Sequence, residues 1–408
     1  MRYPGGAIVC KKTSNGEDSN DRISDLPDEI LDYILGRLPL PDVVRTRVLS
    51  KRWSNCWTRH GKLDFGPDFV KKYVKGNDKE YKYVKIVDSI LLQQKSPMLK
   101  FDLYLVCGVI PICWSSYLDR WINYLWEHDI RDLTIYGRGH LISATLFKCS
   151  GLRSLRLVDC ELEPSIGFDG FPYFTNLEIY LCTVPKTEWE IMIDSPSLQT
   201  LRVCSARDDP IQVGGSQIKS LIVDFDESHP VCLKKSPNLT DATIRTLLIL
   251  PENHNETYEL NQLARLLPRI KTLVLAGLTL DSLACDNLPS RLPTMLKNLE
   301  HLELHFIDIF SLMELSCAFC LIRSSPNLKS LVISVIYVYE GGSDDDEKEI
   351  AVSDFLTAQP TEGIMSGIQA VTLIDLQGSG HEVDFICTII YCCPKLESRI
   401  DPSCTVSK

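Results

Sequence analysis

One short run of the sequence contains side chains that could bind a metal ion. His301, Glu303 and His305 alternate along the chain. On a β-strand, alternate residues lie on one face, and two imidazoles placed in this way can bind one ion. The matching positions of the neighbouring repeats offer only hydroxyl and aliphatic groups: Thr272, Val274, Ser330 and Val332. The run therefore favours polar residues of a binding surface over a metal site.

The cysteines do not add a recognisable metal site. The chain has 16 cysteines, and Cys317 and Cys320 form a single C-x-x-C pair. A structural zinc site needs a second pair at matching spacing, which the adjacent Cys392 and Cys393 do not provide. Most cysteines lie within apolar runs, where a thiol behaves as a small buried hydrophobic group. We therefore expect reduced structural thiols and no bound cofactor.

An acidic segment at residues 340–349 does not fit a calcium loop. An EF-hand loop that starts at Asp344 requires glycine at its sixth position and glutamate at its twelfth. Those positions hold Glu349 and Phe355. The segment is therefore predicted to be a solvated loop.

Composition and missing motifs argue against several classes of function. No G-x-G-x-x-G, G-x-x-x-x-G-K-[ST] or G-x-S-x-G motif occurs, so catalysis by this chain is not expected. The formal net charge of −11 gives no support for binding nucleic acid through its phosphates. The longest apolar stretch, residues 101–114, is too short to span a bilayer, and no secretion signal is recognisable. We expect a soluble protein of the cytoplasm, the nucleus or both.

The His301 run belongs to a phrase that recurs over most of the chain. Each phrase reads apolar, two variable residues, apolar, one variable residue, apolar, and most phrases begin 20 to 31 residues apart. The ten phrases begin at Ile130, Leu152, Phe174, Leu198, Ile218, Leu239, Ile270, Leu299, Leu328 and Ile368. This is the leucine-rich repeat (LRR) pattern, and Cys160 and Cys182 occupy its Asn/Cys position in two units. Since one repeat cannot bury its apolar residues alone, the pattern predicts a curved α/β solenoid with a parallel concave sheet.

The region before the first phrase is predicted to close the end of the solenoid. Residues 83–91 have helical spacing, residues 99–105 alternate as a strand, and residues 117–125 return to helical spacing. A solenoid needs such a cap because its first repeat has no neighbour on one side.

The concave sheet is the predicted site for a protein target. In each phrase the last two anchors point into the core, so the residues that flank them face outwards. Tyrosine and arginine carry much of the energy of protein interfaces. The best candidates are therefore Tyr136, Arg156, Tyr180, Arg202 and Arg245. The alternative, that these are only solvated strand residues, stays open for each of them.

A compact block at residues 22–60, here the N-terminal block, is predicted to form two amphipathic helices. The first follows Asp25 as a possible N-cap and ends before Pro39; its apolar residues are Ile30, Leu31, Ile34, Leu35 and Leu38. The second follows Pro41 and carries an apolar face with two tryptophans at its end. Those residues are Val43, Val44, Val48, Leu49, Trp53 and Trp57.

The N-terminal block resembles an F-box in the order and spacing of these residues, from Leu26-Pro27 to Lys51-Arg52-Trp53. The F-box is the module through which substrate receptors dock on the Skp adaptor of cullin-RING ubiquitin ligases. The resemblance implies adaptor contacts at Leu26, Pro27, Ile30, Leu31, Ile34, Val43, Val44, Leu49 and Trp53. The alternative is a helical hairpin that packs only on its own domain.

The C-terminal residues are similar to the end of the FBD module of plant F-box/LRR proteins. The similarity rests on Glu382, Phe385, Ile386, Pro394, Lys395 and Leu396, and we expect a truncated module. The predicted organisation is a disordered segment (1–20), the F-box (21–66), a linker and cap (67–127), the solenoid (128–378) and a C-terminal cap or FBD-like tail (379–408).

The resemblance implies a substrate receptor of an SCF-type (Skp–cullin–F-box) ubiquitin ligase. The F-box would hold the adaptor, and through it the cullin, while the solenoid binds a target protein. Two alternatives stay open. One is an LRR interaction scaffold that is not coupled to ubiquitination, and the other is a receptor that binds its target with the help of a small molecule.

Overall fold

The computed structural model describes most of the chain. The described residues are 23, 25–106, 114–204, 211–224, 231–245, 248–249, 259–283, 288–336, 345–359, 367–377 and 380–393. The predicted disordered segment, residues 340–344 of the acidic segment and residues 394–396 of the FBD-like tail lie outside these ranges.

The N-terminal block contains three short α-helices where two were predicted. They are α1 (Asp28–Leu35), α2 (Leu40–Arg45) and α3 (Lys51–Cys56), with 3-10 turns at Thr46–Val48 and Trp57–Arg59. The predicted second helix is interrupted because Ser50 is extended (φ −160°, ψ 172°), and its side chain accepts a hydrogen bond from the Trp53 amide. The predicted N-cap is also wrong, since Pro27 precedes α1 and no side chain caps it.

The cap region contributes the first two strands of a large sheet. Its elements are β1 (Lys62–Phe65), α4 (Pro67–Tyr73), α5 (Lys79–Leu91), β2 (Lys100–Tyr104) and α6 (Trp114–Glu127). Both predicted helices and the predicted strand are confirmed, whereas β1 and α4 were not predicted. Buried Tyr83 joins the two strands, because its hydroxyl donates to the Phe65 carbonyl (2.9 Å) and accepts from the Tyr104 amide (3.1 Å).

The ten LRR phrases form ten neighbouring strands of the same sheet, as predicted. With three shorter strands between them, the strands are β3 (Asp132–Ile142), β4 (Ser154–Leu162), β5 (Asn176–Tyr180), β6 (Thr200–Cys204), β7 (Ile211–Val213), β8 (Ser220–Asp224), β9 (Val231–Leu233), β10 (Asp241–Arg245), β11 (Leu248–Ile249), β12 (Thr272–Ala276), β13 (His301–Asp308), β14 (Ser330–Ile336) and β15 (Ala370–Ile374). The 12-stranded parallel sheet runs β1-β2-β3-β4-β5-β6-β8-β10-β12-β13-β14-β15 and does not close.

The register of the sheet aligns the phrases with one another. Leu155, Leu177, Leu201 and Leu221 lie side by side on β4, β5, β6 and β8, and all four are fully buried. Each such leucine contributes about 1.5–3 kcal/mol when it leaves water. In the last phrase, by contrast, the anchors on β15 are only half-buried.

The other side of the solenoid varies from repeat to repeat. Strands β7 and β9, from the two shortest units, form a second, three-stranded parallel sheet with β11, from a 31-residue unit; the sequence did not predict this sheet. Longer units carry helices: α7 (Lys186–Ile193), α8 (Glu259–Leu266), α9 (Gly277–Leu283), α10 (Leu312–Arg323), α11 (Asp345–Thr357) and α12 (Gly380–Cys392). Because α11 begins at Asp345, the loop predicted over residues 340–349 is wrong from that residue on; acidic residues are favourable in a first helical turn.

The N-terminal block is packed directly on the cap of the solenoid. Leu40 belongs to the core of the solenoid, and Val44 and Ile90 touch both that core and the core of the block. The Gly61 carbonyl accepts hydrogen bonds from the amides of Leu99 (2.7 Å) and Lys100 (2.9 Å). A Cβ atom on Gly61 would lie 2.7 Å from the Pro97 carbonyl oxygen, so this joint requires glycine.

Candidate protein-binding surfaces

The N-terminal block has a small core of its own. Leu31, Leu35, Val43, Trp53, Cys56 and Trp57 are buried together and form a cluster separate from the core of the solenoid. Asp28 at the start of α1 binds Arg52 (2.6 Å) and Arg59 (3.1 Å), which ties α1 to α3 and the turn that follows it. The hydrogen bond from Arg52, followed by that from Arg59, lowers the pKa of the Asp28 carboxyl group.

Several large apolar side chains of the same block are exposed. On α1, Ile30 is 45% exposed, and on the turn before α3, Val48 and Leu49 are 80% and 60% exposed. Ile23 and Tyr33 are exposed as well. Exposed apolar groups concentrated in one small module indicate a surface that a protein partner covers.

The nine predicted adaptor-binding residues divide between core and surface. Leu31, Val43 and Trp53 lie in the core of the block. Leu26, Ile34 and Val44 are half-buried and pack against that core. Pro27, Ile30 and Leu49 are exposed. Spacing identified the apolar residues, but it could not separate the buried side from the exposed side, and exposed Val48 was left out of the set.

Four of the five predicted target-binding residues lie together on the concave face. Arg156 (β4), Glu178 (β5) and Arg202 (β6) are register partners in one row across the sheet. Tyr136 (β3) and Tyr180 (β5) lie in the next row, with Val158 between them. All of these side chains are half-buried.

Arg156, Tyr180 and Arg202, with Glu178 between the two arginines, form what we call the Arg–Tyr–Arg cluster. The two guanidinium groups lie 5.0 Å and 5.4 Å from the centre of the Tyr180 ring, within the range of cation–π contacts. The Arg156 Nε atom lies 3.6 Å from a carboxylate oxygen of Glu178, and the Tyr180 hydroxyl donates to the same oxygen (3.3 Å). These contacts hold the aromatic ring and both guanidinium groups in place.

Arg245 is separate from this cluster. It lies on β10, two strands beyond β6, and its guanidinium group pairs with Asp224 on β8 at 3.4 Å. The structure therefore does not bring the fifth predicted residue together with the other four.

The concave face also extends further towards the N-terminal block than was predicted. Tyr104 on β2 is the register partner of Tyr136, with ring centres 6.0 Å apart. Arg138 donates a hydrogen bond to the Tyr104 hydroxyl (2.8 Å). Tyr104 was not predicted because β2 precedes the first LRR phrase; the alternation of residues 99–105 was the signal that could have identified it.

The His301 run forms part of the concave face, as its spacing indicated. His305 Nε2 lies 3.0 Å from a carboxylate oxygen of Glu303, and His301 is exposed. Within the described ranges, no group of three or more His, Cys, Asp and Glu side chains could hold a metal ion. In the same part of the chain, no helix combines the length and apolar character needed to cross a bilayer.

Cys160 and Cys182 stack on successive turns of the solenoid. The Cys160 amide donates to the Cys182 sulfur (3.3 Å), and the Cys182 thiol donates to the Tyr180 carbonyl (3.1 Å). Both thiols are buried. Their bonds therefore fix the chain directly behind the Arg–Tyr–Arg cluster.

Comparison with known protein families matches both parts of the molecule. The F-box domain family matches residues 23–64, and the LRR family of the FBD-associated F-box protein At5g56370 matches residues 118–333, just over half of the chain. The predicted resemblance is thereby confirmed.

Individual relatives in Arabidopsis thaliana share this organisation. The F-box/FBD/LRR-repeat protein At1g13570 is 25% identical over 93% of this chain and 91% of its own length. The F-box/LRR-repeat protein At3g26922 is 30% identical over 58% of this chain and 85% of its own length. The FBD-associated F-box protein At1g66310 is 25% identical over 80% of this chain and 79% of its own length.

Proposed function

This chain belongs to the family of plant F-box/LRR-repeat proteins, and from that premise we propose that it is the substrate-recognition subunit of an SCF-type ubiquitin ligase. The observation that carries the proposal is the exposed apolar surface of the F-box, which Ile30, Val48 and Leu49 form together with their neighbours. F-box domains generally bind Skp-type adaptors, and such a surface suits a lasting partner.

The proposed adaptor contacts are the exposed and half-buried members of the predicted set, with Val48 added. Leu31, Val43 and Trp53 support the same surface from below, because their packing fixes α1 and α3. Removing one of these three would therefore weaken adaptor binding through the fold of the F-box.

The solenoid is proposed to bind the target protein through its concave face. The F-box and the cap share apolar contacts and backbone hydrogen bonds, so the two binding surfaces keep a fixed relation to each other. A receptor of this kind performs no chemistry itself. It raises the effective concentration of the target near the catalytic subunits of the ligase.

The proposal is tested by placing charges on the exposed apolar surface of the F-box. The variant Val48→Asp/Leu49→Asp should lower recovery of a Skp-type adaptor and its cullin at least about tenfold in co-precipitation, a loss of about 1.4 kcal/mol. The matched control is Leu92→Asp/Ile166→Asp, which changes two side chains outside the F-box that are at least as exposed. Equal recovery of the adaptor with both variants would refute the proposed docking surface.

The same experiment separates the receptor from a scaffold that is not coupled to ubiquitination. A scaffold would bring down no adaptor even as the unchanged chain. If the adaptor is recovered, affinity purification with the proteasome inhibited, followed by mass spectrometry, should yield target proteins. Changing Tyr136, Arg156, Tyr180 and Arg202, the four that lie together, to alanine should remove those targets while the adaptor stays bound.

A further inference from the structure

The Arg–Tyr–Arg cluster contains two positive groups and one negative group. Glu178 is the register partner of both Arg156 and Arg202, so one carboxylate serves two guanidinium groups. The next positions in the same row are neutral: Thr134 beside Arg156 and Ile222 beside Arg202. Among the described residues, the cluster therefore has one positive charge more than its partners balance, on a chain whose formal net charge is −11.

The neighbouring titratable groups in the described part of the chain do not supply the missing negative charge. Burial raises the pKa of the Cys204 thiol next to Arg202, so this thiol is neutral near pH 7. Burial likewise raises the pKa of the Tyr180 hydroxyl. Asp224 on the next strand is paired with Arg245.

The two arginine side chains are preorganised for binding a ligand. The Nε atoms of Arg156 and Arg202 are buried and make no hydrogen bond among the described residues, although a Glu178 oxygen lies 3.6 Å from Arg156 Nε. A ligand would therefore bind the terminal nitrogens of the two guanidinium groups. The cation–π contacts with Tyr180 restrain both guanidinium groups, so less side-chain freedom remains to be lost on binding. Arginine bonds to a carboxylate are among the strongest hydrogen bonds in proteins.

We propose that the Arg–Tyr–Arg cluster binds a carboxylate side chain of the target, so that this receptor recognises an acidic peptide segment. This inference rests on the proposed role of the concave face in target binding. One aspartate or glutamate would balance the charge of the cluster, whereas the double charge of a phosphate would exceed it and face Glu178. The apolar residues beside the cluster, Val158 and Ile222, suit an aliphatic neighbour of that acidic residue.

A random dodecapeptide library, selected on the purified full-length chain, provides the first test. Selected peptides should carry aspartate and glutamate more often than the unselected library. A selection without acidic enrichment would overturn the inference.

A labelled peptide from that selection provides the quantitative test. The variant Arg156→Gln/Arg202→Gln should bind this peptide at least about tenfold more weakly, which corresponds to about 1.4 kcal/mol. The unchanged chain should show the same loss when the acidic residue of the peptide is replaced by its amide. Arg245→Gln, the matched control on the same face, should bind within about twofold of the unchanged chain, since the Asp224 pair removes its free charge. Undiminished binding by the double variant would refute the inference.

A second variant keeps the test valid if the double variant fails to fold. Glu178→Gln removes the internal carboxylate and should strengthen binding of the acidic peptide; weaker binding would contradict the proposed charge balance. A phosphoserine version of the peptide that binds more tightly than the aspartate version would overturn the choice of a carboxylate.

Adaptor recovery distinguishes this inference from the proposed function. Arg156→Gln/Arg202→Gln should retain the adaptor in full, because both residues lie on the solenoid. If the unchanged chain recovers no adaptor, only the proposed link to the ligase is refuted. If the selected peptides show no preference for acidic residues, only the inference about the Arg–Tyr–Arg cluster is refuted.

Discussion

The F-box surface and the concave face differ in how many of their groups are already satisfied within the chain. The F-box exposes aliphatic side chains such as Val48 and Leu49, which make no favourable contact with water. The concave face exposes arginine and tyrosine side chains that bind one another, as Arg156, Tyr180 and Glu178 do. Burial of the F-box surface under a partner is therefore favourable at all times, whereas the concave face is stable without a partner.

This difference suggests an order of assembly. A receptor with an uncovered apolar surface is expected to associate with its adaptor soon after folding, because the exposed apolar area drives association. Its polar face can then bind and release targets in turn. In the proposed receptor, a permanent partner and reversible partners would thus bind two different kinds of surface on one chain.

The largest expected effect concerns the small core beneath the F-box surface. Trp53→Ala should lower the free energy of unfolding of the F-box by about 3–5 kcal/mol, because Trp53 is buried within a separate cluster. The solenoid should unfold at its original urea concentration, as followed by circular dichroism. Trp126→Ala, at an exposed tryptophan, is the control. If the variant destabilised the F-box and the solenoid together, the two surfaces would belong to one folding unit and would not differ as described above.

A second, smaller effect concerns self-association of the isolated chain. Val48→Lys should reduce it, since a charged group replaces an exposed aliphatic one, and should leave the free energy of unfolding nearly unchanged. Arg202→Gln on the concave face should leave self-association as it is. Sedimentation velocity at several protein concentrations measures both variants. If Arg202→Gln had the larger effect, the concave face would be the less satisfied surface.

The smallest expected effect concerns the pH dependence of the stability of the solenoid. Burial raises the pKa of Glu314 on α10 from its usual 4.5 to about 7. Between these values the folded chain binds more protons than the unfolded chain, so this residue makes stability fall as pH rises from about 4.5 through 7. Glu314→Gln should remove that slope, and its amide oxygen can still accept the hydrogen bond from the Asp308 amide (3.1 Å).

Urea unfolding at pH 5 and pH 8 checks the expectation for Glu314. The free energy of unfolding of the variant, minus that of the unchanged chain, should be larger at pH 8 than at pH 5. The opposite change would mean that the Glu314 carboxylate is stabilised in the folded chain. Glu127→Gln, at an exposed position on α6, is a suitable control.

The sequence predicted the parallel sheet because its repeat fixes both the strands and their order. It could not predict the break at Ser50, since the apolar spacing of residues 43–53 also fits a continuous helix. Nor could it predict which F-box residues are exposed, because that depends on how three short helices pack. On the concave face it selected Arg156, Tyr180 and Arg202 separately, whereas Glu178, which binds two of them, was not selected because only tyrosine and arginine were weighted.

Because the joint at Gly61 fixes the sheet to the N-terminal block, each strand of the sheet lies at a defined distance from that block. Since β1 follows the helices of the N-terminal block directly and neighbouring strands lie about 4.8 Å apart, the number of strands between them would set the distance from the adaptor to a target in the proposed receptor. The Arg–Tyr–Arg cluster starts on the fourth strand, about 14 Å from β1 along the sheet. Inserting one repeat before β4 would move a target by one strand spacing relative to the ligase, whereas inserting it after β6 would leave that reach unchanged.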